Sequence, residues 1–357
     1  MKILITGNMG YVGPGVVRHL RARFPEAEII GYDNGYFAHC LTTRDRLPET
    51  KLTAQYFGDT REFPEELMKG VDAVVQLAAI SNDPMGKSFE EPTEQVNYLA
   101  SLRIAKLAHK AGVKHFVFAS SCSVYGFAAG RPMTETDELN PLTAYARSKI
   151  DTERALGEAD LDGMVVTCLR FATACGMSDR LRLDLVLNDF VACALAFNEV
   201  KVLSDGTPWR PLINVSDMAR AIEWGVTRPV ATGGPKLSIN VGSTAWNYQV
   251  SQLAEAVAAE IPGVNVSINL NAEPDRRSYQ VDFSLFKSYA PDHQPIATLQ
   301  QSVRDLRDGL TALGFADADF RNSDLVRLRT LERYIGAGQL SSDLRWTKSR
   351  DLGKGQS

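Results

Sequence analysis

Through its first half the chain alternates short apolar runs with stretches whose apolar residues recur at helical spacing. Lys2–Thr6 predicts a buried strand, and Gly13–Arg23 predicts a helix stopped by Pro25. Glu28–Tyr32, Ala73–Leu77, His115–Ala119 and Met164–Phe171 continue the series of strands. Thr93–Ala111 reads as one amphipathic helix stopped by Gly112. Strands alternating with helices of this length build βαβ units. Right-handed crossovers between such units give a doubly wound parallel sheet, so the fold class is α/β.

Past Gly176 the rhythm changes. Asp184–Phe197, Asp217–Thr227 and Tyr248–Ile261 predict helices, Lys201–Val202 a short strand, and Gly-Gly-Pro at 233–235 a turn. Ile296–Arg333 reads as helical and charged. The pattern divides the chain into a sheet-bearing unit over 1–176 and a smaller C-terminal lobe over 177–340. Segments near 211–243 return to the first unit, and 341–357 forms a loose polar tail.

Composition narrows the class. At 357 residues, 44% hydrophobic and 23% charged, the chain resembles an ordinary soluble globular protein and needs neither disulfide nor metal to hold its core. A net charge of −4 without a basic run argues against nucleic acid or an anionic membrane as partner. Five cysteines, with no C-x-x-C pair, suit a reducing compartment and no zinc site. The N-terminal apolar run is too short for a signal peptide, and Leu185–Phe197 is too short to span a bilayer. A cytoplasmic protein is expected.

Gly7, Asn8, Met9, Gly10, Tyr11, Val12 and Gly13 link the first strand to the first helix. In a Rossmann-like unit the first glycine permits the tight turn and the second lets backbone approach a pyrophosphate. The third lets helix and strand pack closely, and the helix N-terminus supplies N–H donors for the phosphates. Asp33 ends the second strand about 20 residues after the last glycine, where an acid meets the adenosine ribose hydroxyls. A carboxylate there repels a 2′-phosphate, which favours NAD over NADP.

Tyr145 and Lys149 stand one helical turn apart on the same face. A protonated lysine beside the phenol lowers its pKa and makes it a usable acid/base at a carbinol carbon. Ser120-Ser121-Cys122-Ser123-Val124-Tyr125-Gly126 follows a predicted strand, where a serine can hydrogen-bond the same substrate oxygen.

With TGNMGYVG at 6–13, QLAA at 76–79, SSCSVYG at 120–126, YARSK at 145–149 and LRFATACG at 169–176, the chain resembles the extended short-chain dehydrogenase/reductases. The likeness is to the nucleotide-sugar epimerases, dehydratases and reductases and runs to about residue 310. It implies Tyr145 as acid/base, Lys149 at the nicotinamide ribose and Ser121 as the matching hydroxyl. It further implies Asn34, Asp59, Thr60, Leu77, Ala78, Ala79 and Ser120 around NAD, with Asp59 at the adenine and Asn97 holding helix and loop. Family habit adds a homodimer.

Departures from the family pattern narrow the reaction. Related dehydratases carry carboxylates where this chain has Cys122 and Ser123, so elimination of water lacks its acid. Cys122 sits one residue early for an epimerase thiol. That shift turns it to the opposite face of an extended segment and makes it packing. Ser81, Cys122, Ser123 and Thr173 remain the candidates beside the sugar. Arg182, Asn188, Arg210 and Arg277 (or its neighbour Arg276) remain those for the sugar diphosphate, because guanidinium groups suit diphosphates. The leading expectation is an NAD-dependent epimerase of a nucleotide-diphosphate sugar, acting at C4 through a transient keto-sugar. A keto-sugar reductase or dehydrogenase, and a non-catalytic NAD-sensing regulator, are the alternatives.

Overall fold

The apolar runs of the first half all enter one parallel sheet in the computed structural model, which describes residues 1–43, 46–128, 130–272 and 278–347. β1 (Lys2–Thr6) is flanked on one side by β2 (Glu28–Asp33) and then β3 (Ala54–Phe57). On the other side lie β4 (Ala73–Gln76), β5 (His115–Ser121) and β6 (Val165–Phe171). In the second lobe β7 (Thr173–Cys175), β9 (Trp209–Asn214) and β11 (Asn247–Gln249) form a small sheet, and β8 (Glu199–Val202) pairs with β12 (Asn265–Ile268). β10 (Lys236–Val241) leaves that lobe and joins the large sheet beside β6.

In chain order the helices are α1 (Gly13–Arg23), α2 (Asp83–Ser88), α3 (Glu90–Thr93), α4 (Ala100–Lys110), α5 (Ala144–Glu158), α6 (Val186–Phe197), α7 (Val215–Thr227), α8 (Val250–Glu260), α9 (Ser284–Tyr289), α10 (Leu299–Ala312) and α11 (Arg327–Gly336). Ile3 and Ile5 pack with residues of α1 and α7, while Leu4 and Val74 pack with residues of α4 and α5. With both faces covered, the inner strands are apolar throughout. The strand order β10-β6-β5-β4-β1-β2-β3 reverses between β1 and β4. A doubly wound sheet opens its ligand crevice there, at the carboxyl ends of the strands.

The structure departs from the pattern in four places. The helix expected over Thr93–Ala111 is interrupted, because Glu94–Leu99 winds as a π-turn between α3 and α4. Ile296–Arg333 resolves into α10 and α11, parted by a loop in which Gly314 takes a left-handed φ of 71°. β3, β7, β9, β10, β11 and β12 have no counterpart among the expected strands beyond the β8 region, being short and interleaved with polar residues. The tail is packed as far as Thr347: Leu344 is fully buried, and the Trp346 indole donates to the Asn34 carbonyl at 2.8 Å. Among the described residues no helix is long and apolar enough to cross a membrane.

Candidate active site

Gly7 turns the chain at the end of β1 with φ 72°. A Cβ there would lie 2.5 Å from the Ala78 nitrogen, so glycine is what lets this loop touch the one after β4. At Gly13 a Cβ would lie 2.1 Å from the Asn8 carbonyl oxygen. At Gly10, by contrast, the nearest obstacle is the Gly7 carbonyl oxygen at 3.2 Å, and the residue lines the crevice. The loop is a cradle open at its middle. Asp33 ends β2 beside it, its Oδ2 accepting from the Met9 N–H at 3.0 Å and its Oδ1 from Gly35 at 2.8 Å. Burial pushes its pKa upward while these two N–H groups oppose the rise. A carboxylate offers about four acceptor positions, so Asp33 keeps capacity for a ligand at the wall it lines.

From there a cavity of about 830 Å³ runs past Asn34 and Thr60, along Leu77, Ala78 and Ala79, and into the second lobe. α5 delivers two residues to it. Thr143 caps the helix, accepting from the Ala146 N–H at 3.1 Å and donating to Asp83 Oδ1 at 2.7 Å. Tyr145 and Lys149 then line the cavity together with Ser120 and Ser121. Burial pushes the Tyr145 pKa up to about 12, opposed by a hydrogen bond with Ser121. Burial likewise takes Lys149 down to about 7, opposed by the charge of Glu153. The lysine Nζ donates to the Ala119 carbonyl at 2.7 Å and lies 5.5 Å from the centre of the Tyr145 ring. The lowering of the tyrosine expected from a protonated lysine is not found, since burial drives both groups toward their neutral forms.

On the sugar side Ser81, Ser123, Thr173, Arg182 and Arg210 line the cavity. The Ser123 hydroxyl is buried with no partner among the described residues. Arg182 forks onto Asp184 at 2.8 and 2.9 Å and donates to the Ser81 hydroxyl at 2.8 Å.

Other expected residues stand elsewhere. Cys122 is fully buried, and its thiol donates to the Arg170 carbonyl at 3.0 Å, away from the cavity. Burial pushes its pKa upward. Asn188 is fully buried too, donating to the Tyr11 hydroxyl at 3.0 Å and the Arg182 carbonyl at 2.9 Å while accepting from the Gly176 N–H at 3.0 Å. It ties the glycine loop to the second lobe. The Asp59 carboxylate is taken by the Arg61 guanidinium, and the flanking Gly58 and Thr60, not Asp59, line the cavity. Within the glycine loop Asn8, Met9 and Gly13 do not line the cavity, whereas Tyr11 and Val12 do. Asn97, in the π-turn, accepts from the Ile80 N–H at 2.8 Å and donates to Ser148 at 3.0 Å, locking the loop after β4 to α5. Arg276 and Arg277 lie outside the described residues.

Residues 3–242 match the model of the NAD-dependent epimerase/dehydratase family. The chain belongs to that family. A UDP-glucose 4-epimerase of Lactobacillus helveticus is 26% identical over 287 residues, covering 74% of this chain and 83% of its own. Another, from Rhizobium leguminosarum bv. trifolii, is 29% identical over 280 residues, covering 71% and 80%. MoeE5 in complex with UDP-glucuronic acid and NAD superposes with a TM-score of 0.74 at 25% identity, covering 88% of this chain and 100% of that one. The UDP-glucose-4-epimerase of Stenotrophomonas maltophila shares the fold with a TM-score of 0.74 at 23% identity, covering 89% and 100%.

As a member of the NAD-dependent epimerase/dehydratase family the chain is an enzyme with NAD as cofactor, and its own residues fit that group. The glycine cradle admits phosphate at Gly10, and Asp33 has free acceptor capacity where a ribose would lie. Several cavity residues, Arg327 among them, are not marked by the sequence pattern. Asp83 and Tyr279 are silent in the motifs, while Asp184 was visible beside Arg182 but carried no assigned role. Asp83 had one signal, an Asn82 N-cap pattern just after the β4 loop.

Proposed function

We propose that the chain is an NAD-dependent epimerase of a nucleotide-diphosphate sugar, working at C4 through a transient keto-sugar. The observation that carries this reading is the gathering of Ser121, Tyr145 and Lys149 at one cavity whose β5 turn presents a serine hydroxyl, Ser123, and no carboxylate. NAD supplies the hydride acceptor and, on return, the donor. Tyr145 takes the proton from the sugar hydroxyl and gives one back after the keto-sugar has turned over. Ser121 hydrogen-bonds the same oxygen. The Lys149 charge opposes the cost of a buried phenolate. Ser123 and Thr173 meet sugar hydroxyls, and Arg210 meets the diphosphate.

Such an enzyme interconverts two sugar nucleotides with no added cofactor and no lasting change at 340 nm. In deuterated water its product carries no carbon-bound deuterium, because no solvent proton is added to a sugar carbon. Stoichiometric consumption of NADH or NADPH would select the reductase instead. Asp83 favours a second reading, proton transfer at a sugar carbon. It lines the cavity, its charge acts on Tyr145, and α2 packs so closely that a Cβ at Gly86 would lie 3.1 Å from the Tyr145 nitrogen. Deuterium at C3 or C5 would select that reading.

The same site predicts cofactor choice. NAD should bind at least about tenfold tighter than NADP, since Asp33 would face a 2′-phosphate across a buried wall. Asp33→Ser should narrow the gap, measured by titration of cofactor-depleted protein. Equal affinities in the unaltered protein would move the discriminating role to another residue.

A further inference from the structure

Arg327 opens α11, well beyond the residues matched by the family model, and is only 1% exposed. Its Nη2 donates to the Arg180 carbonyl at 2.8 Å and its Nη1 to the Asp324 carbonyl at 3.2 Å. The guanidinium lies 4.8 Å from the centre of the Phe37 ring. These partners are dipoles and a ring face. Among the described residues no carboxylate forms an ion pair with it. Its neighbours are placed differently: Arg180 forks onto Glu49 at 2.7 and 3.1 Å, and Arg182 forks onto Asp184. Burial takes the Arg327 pKa down to about 10, although the charges of Cys40 and Asp184 oppose the fall. A buried cation held this way is costly unless an anion joins it.

The position of Arg327 says which anion. Arg327 and Leu331, one turn further along α11, stand in the cavity wall with Tyr36 and Phe37, which follow Asp33. The same wall includes Gly10, Tyr11 and Val12 of the glycine loop, and Ile80 after β4. Leu331 also packs in one cluster with Tyr36, Ile80 and Leu344. α11 therefore borders the dinucleotide part of the cavity, close enough to its sugar side for the charges of Arg182 and Asp184 to act on Arg327, whereas Lys201, Ser204 and Arg210 mark the second-lobe end. The chain after α11 continues across that end. The Tyr36 hydroxyl donates to the Leu344 carbonyl, Arg61 donates to the Asp343 and Leu344 carbonyls at 2.7 and 2.8 Å, and Trp346 reaches Asn34.

We propose that Arg327 binds the pyrophosphate of NAD, and that α11 with residues 340–346 straps the adenosine half of the dinucleotide in place. The guanidinium supplies the charge and fork geometry that backbone N–H groups of the glycine loop lack. This rests on the cofactor of the family and is independent of the proposed epimerisation.

The test is exchange of bound NAD in the holoenzyme against isotopically labelled NAD, read by mass with no sugar nucleotide present. Arg327→Met is expected to speed exchange at least tenfold. It should weaken ADP-ribose to a similar degree and leave adenosine within twofold. Arg327→Lys, which keeps the charge and loses the fork, is expected to fall between. Unchanged exchange in a folded Arg327→Met protein overturns the assignment. So does an equal loss for adenosine, which would show that the arginine only shapes the pocket. If the variants do not fold, hydrogen exchange on the unaltered protein decides. The amides of 327–331 should gain protection from ADP-ribose and little from adenosine, while those of 340–346 should gain it from both; no gain at 327–331, or an equal gain there from both ligands, overturns the proposal. A chain that proves to be a reductase would leave every one of these readouts unchanged.

Discussion

Tyr145→Phe is expected to fold, to retain NAD and to turn over at least about a hundredfold more slowly, the usual loss when a positioned acid/base is removed. The substitution deletes one oxygen and keeps the ring, so the packing of α5 against α2 is preserved. What disappears is the only hydroxyl on α5 that both lines the cavity and is bonded to Ser121. Burial holds this phenol near 12, and above about 7 Lys149 loses the charge that would support its anion, so activity should stop rising with pH above neutrality. Turnover assays on the purified variant, with NAD content quantified alongside, check the assignment. Near-normal turnover would remove Tyr145 from the chemistry.

Glu153→Ala should destabilise the fold by about 3–5 kcal/mol, the typical cost of leaving one member of a buried pair without its partner. Arg170 on β6 reaches Glu153 on α5 through Nε at 3.0 and 3.1 Å and Nη2 at 2.7 Å, and both side chains are under 10% exposed. Ser120 donates to the same carboxylate. Removing it strands a guanidinium and a hydroxyl between helix and sheet. It also deletes the charge that opposes the fall of the Lys149 pKa, so that lysine should drop below about 7. Urea unfolding of the variant measures the first effect. A loss under about 1 kcal/mol would mean that water replaces the carboxylate beside Arg170, which keeps its bond to Tyr125.

The parts of this fold that could be read from sequence are those where local rules coincide with tertiary ones. Lys2–Thr6 and Gly13–Arg23 have the same bounds in the pattern and in the structure, because a doubly covered strand is apolar and Pro25 ends the helix whatever packs around it. Tyr145 and Lys149 share a face through helix geometry alone. The residues placed elsewhere failed for one reason: a motif names a position and says nothing of a nearer partner. Asp59 meets Arg61, and Asn188 meets Tyr11 and Gly176. Arg327 lies some 300 residues from the glycine loop, and no spacing rule joins them.

The placement of β10 sets the schedule on which this molecule assembles during synthesis. β6 is complete at Phe171, but the strand that covers its outer edge begins only at Lys236. At about 5–20 residues per second the ribosome needs roughly 3–13 s to supply it. Throughout that interval the nascent sheet exposes an unpaired row of N–H and C=O groups on β6, a template for pairing with another emerging chain. Chaperone demand should therefore peak while the residues between Phe171 and Lys236 are being made, and slow codons within that stretch would lengthen the exposure.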